Sequence, residues 1–269
     1  MTDEEFERFV DYVEKNLGHS TTYYERKHLK RRFNARMRRI GLDEDDYDGY
    51  RDVLEDDERE RRELLDTMSI NVTEFFRNPE VWRSIQDVLA ELTDLEPRVR
   101  AWSVPCSDGR EPYSLAMLAV HDDRIDEARV DVLGTDIDPV ALERAREGVY
   151  PEGHTNDAES EIEAFDPSLV RFLERSDGAF RVAESVRRSV EFERHDVISG
   201  EPKRGIDLLL CRNLMIYIEE RYKSSLVENL DEAIDGGGYL VIGKTETLPP
   251  TVRDRYEAVD NEHRIYRRR

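Results

Sequence analysis

Asp136 closes the apolar run Val130-Asp131-Val132-Leu133-Gly134-Thr135, and Pro139 opens a new amphipathic segment just beyond it. An acid at the C-terminal edge of a strand can accept one hydroxyl on each carboxylate oxygen. That is how an α/β nucleotide-binding sheet holds a ribose. Taken alone, the same acid could simply cap the helix that follows. Upstream, Val99-Arg100-Ala101-Trp102-Ser103-Val104 reads as an earlier strand and Pro105-Cys106-Ser107-Asp108-Gly109 as a small-residue loop. Glu111-Pro112-Tyr113-Ser114-Leu115-Ala116 then begins a helix. The loop lacks the GxGxxG pattern and the lysine of a phosphate cradle. With Glu111 beside it, it better suits a ligand that carries a positive amino group. A third segment is Asp207-Leu208-Leu209-Leu210-Cys211-Arg212-Asn213-Leu214-Met215-Ile216-Tyr217, a buried strand that runs into Arg-Asn and then an apolar stretch ending in tyrosine. Polar groups at the C-terminal end of a parallel strand face the ligand crevice. The alternative is that Arg212 and Asn213 are solvated turn residues.

These groups need a sheet to hold them. From about Arg98 the chain alternates strand and helix, with strands expected at 99–104, 130–135, 190–194, 206–211 and 238–242. A last pair, at 256–259 and 264–267, flanks the polar turn Asp260-Asn261-Glu262-His263. Parallel βα units closed by a C-terminal hairpin describe a methyltransferase-like α/β sheet rather than the dinucleotide-binding form. The span 148–189 is longer than one crossover needs. It reads as an insertion, with a helix near 167–173 and a hairpin across Asp177-Gly178. Ahead of the sheet, residues 1 to about 70 read as all-helical. Phe6, Phe9, Val10, Val13 and Leu17 recur at helical spacing before Gly18, and Leu29, Phe33 and Met37 share a face before Gly41. Two short helices follow, at 46–54 and 58–68, and after Pro79 another runs through Leu92. No Gly/Pro/Ser linker separates the two parts.

The chain of 269 residues has a net charge of −21 and holds 35 arginines against six lysines. Acid excess with scarce lysine resembles halophilic composition, in which surface charge maintains solubility in concentrated salt; an ordinary acidic cytosolic protein is the other reading. No stretch approaches the length of a membrane-spanning helix, and the acidic N-terminus lacks the apolar core of a secretory signal. A cytoplasmic location is expected. Cys106 and Cys211 are too few for a disulfide framework or a zinc site and read as reduced, partly buried thiols. The scattered histidines give no metal site.

Four segments now stand in order: Asn71-x-Thr73-x-Phe75-Phe76-Arg77; Cys106-Ser107 with Gly109 and Glu111-Pro112-Tyr113-Ser114; Thr135-Asp136-Ile137-Asp138; and Arg212-Asn213-Leu214-Met215-Ile216-Tyr217. Together they resemble the CheR family, the chemotaxis receptor glutamate O-methyltransferases, over nearly the whole chain. The resemblance implies a Rossmann-like class I sheet dependent on S-adenosylmethionine (SAM), behind a small all-α domain. Residues 1–70 would be the receptor-docking domain and 71–269 the methyltransferase domain, with an insertion at about 150–189. Carried over by position, it assigns SAM contacts to Asn71, Thr73, Arg77, Glu111, Asp136, Asp196, Val197, Arg212 and Asn213. Tyr217 would lie close to the reacting methyl, which with Arg77 makes the catalytic pair. Pro105 stands where a small Gly or Ala is usual, Arg110 replaces the first of two acids, and Asp196 stands where asparagine is commoner. The insertion does not clearly match the small β-subdomain with which some bacterial members grip a receptor's C-terminal tail peptide.

The implied reaction is attack of a glutamate carboxylate on the sulfonium methyl, yielding a methyl ester and S-adenosylhomocysteine. Glutamate is already ionised at neutral pH, so no general base is required. Cation and anion combine into neutral products, which a dry pocket favours. Phe75, Phe76 and Tyr217 are candidate walls, and the two phenylalanines could equally be plain core. Arg77 could hold a carboxylate with two hydrogen bonds, or pair with a structural acid.

The stretch 21–40 sets eight cations against the single acid Glu25. Lys27, Lys30, Arg31, Arg32, Arg36, Arg38 and Arg39 form a candidate docking face for the cytoplasmic helices of chemoreceptors, and internal pairing with acids is the alternative. In molar salt the Debye length is about 3 Å, so such a face must act by contact. No nucleic acid and no membrane insertion are expected, and the chain is expected to act as a monomer. A non-catalytic SAM-binding signalling module and an RNA methyltransferase are the competing readings. The second is disfavoured by the overall charge and by the lack of aromatic residues repeated along a basic strand.

Overall fold

The structure, a computed structural model, describes residues 3–17, 21–68, 73–153 and 157–269. The chain divides into two compact units, Met1–Asn71 with Tyr217–Glu220, and Val72–Ile216 with Arg221–Arg269.

Among the described residues the first unit holds four helices: α1 (Asp3–Leu17), α2 (Arg26–Arg39), α3 (Tyr47–Asp56) and α4 (Glu58–Met68). Spacing of four residues puts Leu29, Phe33 and Met37 on one face of α2. That face is buried against Phe6, Phe9 and Val13 of α1 and Tyr50 and Leu54 of α3. Phe33 meets Phe9 edge-on, with ring centroids 4.9 Å apart. Gly41, at φ 81°, ends α2, and the next amide, of Leu42, donates back to the Met37 carbonyl at 3.0 Å. Gly18 lies outside the described residues. The segment from Tyr217 pairs with residues 23–25. Glu25 N–H donates to the Tyr217 carbonyl and Glu219 N–H to the Tyr23 carbonyl, each at 2.9 Å.

In the second unit, α5 (Pro79–Leu95) precedes β1 (Val99–Ser103), α6 (Arg110–His121), β2 (Val130–Asp136) and α7 (Pro139–Glu147). After the insertion come β6 (Val190–Arg194), β7 (Ile206–Cys211), α10 (Glu220–Ala233), β8 (Ile234–Ile242), α11 (Pro250–Arg253), β9 (Tyr256–Asp260) and β10 (Ile265–Arg268). The seven-stranded sheet has the order β6-β2-β1-β7-β8-β10-β9, and only β9 and β10 run antiparallel to their neighbours. This is the α/β class that the alternation of strand and helix predicts. From β1 the chain winds outward through β2 and β6 on one side and through β7 and β8 on the other. The strand order therefore reverses beside β1, which opens a crevice at the C-terminal strand tips. Apolar faces of α5 and α6, including Trp82, Ile85, Leu89, Leu115 and Leu118, bury against Val132, Leu208, Leu210 and Val241.

The insertion differs from its sequence expectation. It contains β3 (Val149–Pro151), α8 (Ala158–Phe165), β4 (Leu173–Ser176), β5 (Ala179–Val182) and α9 (Glu184–Arg187), with a 3₁₀ turn at Pro167–Phe172 in place of the expected helix. Its strands form a separate antiparallel sheet in the order β3-β5-β4. A small β-subdomain is present after all. The β4–β5 hairpin turns at Asp177-Gly178, both with positive φ.

Candidate active site

The tips of β1, β2 and β7 set the site. The loop leaving β1 is tied to both neighbours: Val104 N–H donates to the Leu210 carbonyl at 2.9 Å and Cys106 N–H to the Thr135 carbonyl at 2.8 Å. Gly109 lies at φ 91°, and a Cβ there would stand 3.0 Å from the Ala145 Cβ. Glycine both permits that backbone and lets α7 pack close.

Asp136 is buried beneath this loop. Its Oδ2 accepts from Ser107 N–H at 2.8 Å and its Oδ1 from Asp138 N–H at 2.9 Å. Burial pushes its carboxyl up from 3.8 to about 6, against the pull of these amides. The cap of α7 is Asp138 instead, whose Oδ1 accepts from Val140 N–H at 2.8 Å. Asp136 is therefore not needed as a helix cap. A carboxylate offers about four acceptor positions, and with the Ile137 amide also favouring its charge, room for a further donor remains.

On the β7 side, Arg212 is buried and works as a clamp. One arm, Nη1, donates to Glu111 Oε2 at 3.1 Å. The other, Nη2, donates to the Arg77 carbonyl at 2.8 Å and to Asn78 Oδ1 at 3.2 Å. The guanidinium lies 5.8 Å from the Trp82 ring centroid. Its Nε is buried with no acceptor among the described residues. Glu111 is held on its other oxygen by Ser103 Oγ at 2.9 Å. Arg77, half-buried, sits between Phe76 at φ 50° and Asn78 at φ 58°. Left-handed side-chain residues on both sides of one arginine are costly, about 1 kcal/mol or more each.

The remaining candidates are placed as follows. Thr73 is half-buried, and Asn71 lies outside the described residues. Asp196 closes its own turn, accepting from Ile198 N–H at 2.9 Å, Ser199 N–H at 3.1 Å and Ser199 Oγ at 2.6 Å. Val197 is buried, and its carbonyl accepts from Asn229 Nδ2 at 3.0 Å. The segment hangs beside Asp136, because His195 N–H donates to the Asp136 carbonyl at 3.0 Å. Burial lowers the His195 pKa. Asn213, at φ 62°, donates its amide to Glu246 Oε2 at 3.0 Å. Phe75 and Phe76 are buried. Phe76 stacks on Phe165 with centroids 4.5 Å apart, and Phe75 meets Tyr150 edge-on at 5.1 Å.

Two acids that sequence reasoning passed over help build the site. Glu161 of α8 accepts from Arg110 Nη1 at 2.6 Å and from Phe75 N–H at 2.9 Å. Burial raises its pKa, while Arg110 pulls it back. Glu246 receives Asn213. Neither stands in a motif whose type or spacing announces a role.

In the helical unit, Tyr217 lies against α2, with the Arg32 guanidinium 5.4 Å from its ring centroid and His28 edge-on at 5.4 Å. Arg32 Nη1 also donates to the Thr67 and Met68 carbonyls, each at 2.7 Å. Arg36 is bidentate to Glu60 at 2.8 and 2.6 Å and reaches Glu63 at 3.3 Å. Arg32 and Arg36 are thus engaged within the bundle, as the alternative of internal pairing expects for them. Lys30 pairs with Asp45 at 3.1 Å, Lys27 with Glu25 at 2.6 Å, and Arg38 with Glu44. Lys27, Lys30, Arg31, Arg38 and Arg39 are exposed.

At the switch point a buried carboxylate thus ends β2, and an Arg–Glu clamp, whose Nε has no acceptor among the described residues, follows β7. This donor and acceptor set fits SAM, whose ribose offers two hydroxyls and whose amino-acid end offers a carboxylate and an ammonium. Among the described residues, no helix is long and apolar enough to cross a membrane.

Two family models match the chain: the CheR methyltransferase SAM binding domain over residues 71–265 and the CheR methyltransferase all-alpha domain over residues 4–69. A chemotaxis protein methyltransferase of Listeria monocytogenes is 31% identical over 245 residues, covering 89% of this chain and 88% of its own. Chemotaxis protein methyltransferase 2 of Vibrio cholerae is 28% identical over 263 residues, covering 92% and 87%. A chemotaxis protein methyltransferase of Borreliella burgdorferi is 28% identical over 262 residues, covering 92% and 89%.

Proposed function

The chain belongs to the CheR methyltransferase family, and on that premise we propose that it esterifies glutamate side chains of chemoreceptors. It is a SAM-dependent methyltransferase of chemotaxis adaptation. The observation that carries the reading is Asp136, with acceptor positions to spare at the switch point beside the Arg212–Glu111 clamp. SAM, when bound, supplies a methyl group activated on a sulfonium. Asp136 would accept from the ribose hydroxyls, and Glu111 would face the ammonium. Arg212 holds Glu111 in place. Arg77, fixed by its carbonyl, is proposed to orient a carboxylate through its guanidinium.

The attacking group arrives with its charge already formed, so the protein needs to position it and exclude water rather than remove a proton. Tyr217 remains a catalytic candidate on family resemblance alone. Docking of an acidic receptor segment is assigned to the exposed cations Lys27, Lys30, Arg31, Arg38 and Arg39. The test is to incubate the protein with chemoreceptor-bearing membranes and methyl-labelled SAM. Label on receptor that mild alkali releases as methanol is expected. Alkali-stable label points to a different acceptor atom, and cofactor binding without any transfer points to a non-catalytic module.

A further inference from the structure

The parallel strands β7 and β8 end in register, with Cys211 opposite Ile242. Beyond that point the two chains leave the sheet side by side and their backbone amides need acceptors. One side chain supplies them. Glu246 turns back toward the strand it follows, its own N–H donating to the Gly243 carbonyl at 2.8 Å. Its Oε2 then accepts from Gly243 N–H at 2.6 Å and from Asn213 N–H at 3.0 Å. Glu246 is 3% exposed, and burial pushes its carboxyl up, against the amides of Gly243, Asn213, Met215 and Ile216, which favour its charge. Gly243 makes room for it. A Cβ at that position would come within 2.5 Å of Oε2 and 2.9 Å of the Asn213 nitrogen.

We propose that Glu246 is a positioning residue for cofactor binding: its carboxylate fixes the left-handed Asn213 and thereby aims Arg212 at Glu111 and at the 77–78 segment. Asn213 is held at φ 62°, a conformation that a side-chain residue keeps only when its surroundings impose it. Release of its amide would let the Arg212 Cα shift, and a clamp with contacts of 2.8 to 3.2 Å on three partners loses them within a small displacement.

The proposal rests on the reading of this site as a SAM site, and the experiment separates the two. The full chain and its Glu246→Gln, Glu246→Leu and Gly243→Ala variants are titrated calorimetrically with S-adenosylhomocysteine, and folding is followed by circular dichroism. Glutamine can place its carbonyl oxygen where Oε2 stands and accept from both amides, while its NH2 loses the favour of the Met215 and Ile216 amides, so an affinity between those of the parent and the leucine variant is expected. Leucine fills the space without an acceptor, and about a tenfold or greater loss is expected, since two buried amides lose their partner. Gly243→Ala leaves Glu246 intact but displaces its carboxylate, so it should also weaken binding. If Glu246→Leu does not fold, the Gln and Gly243→Ala pair still decides. Folded variants that all bind as the parent does would overturn the proposal, as would a glutamine variant as weak as leucine or alanine. A parent chain that gives no heat with S-adenosylhomocysteine would overturn the site reading and the proposal together.

Discussion

Asp136 holds its charge where solvent gives little help, and this has two opposite consequences. Its folded pKa, about 6, lies above the ordinary 3.8, so between those values the native state binds more protons than the unfolded one. Its contribution to stability is then present below about pH 4 and is lost as pH rises through 6, by an amount on the order of 3 kcal/mol. Ligand binding should have the other sign. Ribose hydroxyls donate to the ionised form, so affinity for S-adenosylhomocysteine is expected to hold between pH 8 and 7 and to fall toward tenfold per pH unit below 6. Calorimetry from pH 8 to 5 checks this, and a flat profile would remove Asp136 from the ribose site. Arg212 makes a second residue-scale prediction. Arg212→Lys keeps the positive charge but cannot reach Glu111, the Arg77 carbonyl and Asn78 together, because an ammonium lacks the planar fork. An affinity loss of about tenfold is expected, and native affinity would mean that charge alone suffices.

At the scale of elements, α2 has two working sides. Arg36 and Glu60 are 11% and 5% exposed, and stranding one partner of such a pair costs about 3 kcal/mol. Arg36→Ala should therefore lower the urea midpoint of unfolding without any receptor present. The double change Arg31→Glu with Arg39→Glu lies on the exposed side. It should leave melting and cofactor affinity unaltered while slowing receptor methylation, and an unaltered methylation rate would place docking elsewhere. The inward half of the helix was readable, since Leu29, Phe33 and Met37 repeat at helical spacing. The allegiance of Arg32 and Arg36 was not, because an arginine's partners depend on the fold and its long stem reaches several. The same contrast holds in the catalytic unit. Strands ending in Ser103, Asp136 and Cys211 are apolar runs with clear ends. β4 (Leu173-Glu174-Arg175-Ser176) is mostly exposed and has no alternating apolar face, and β3 has only three residues. β8 starts at Ile234, ahead of Gly236-Gly237-Gly238, a run with little strand preference of its own. Such strands take their form from neighbours that pair with them.

For the molecule as a whole, a net charge of −21 makes the folded chain repel itself. Salt shortens that repulsion from a Debye length of about 10 Å at 0.1 M to about 3 Å at 1 M. The melting temperature should rise between 0.1 and 2 M KCl, and a fall would mean that the many arginine–acid pairs outweigh the repulsion. Asp136 and Glu111 were legible as candidates because one ends a strand and the other opens a helix. Glu161 was not, since it meets Phe75 across 86 positions of chain, and no local pattern encodes a meeting that only the finished fold arranges. That long-range contact bears on protein engineering. Arg110 opens α6 just after the loop that leaves β1, and it is answered by Asp108 of that loop and by an acid from the insertion. A chimera that imports the insertion of a relative must also import an acid able to reach Arg110, or replace Arg110 at the same time. Otherwise the graft removes the shorter of two acid contacts from a buried arginine and leaves it the longer one, to Asp108 at 3.3 Å, beside the very loop it was meant to leave untouched.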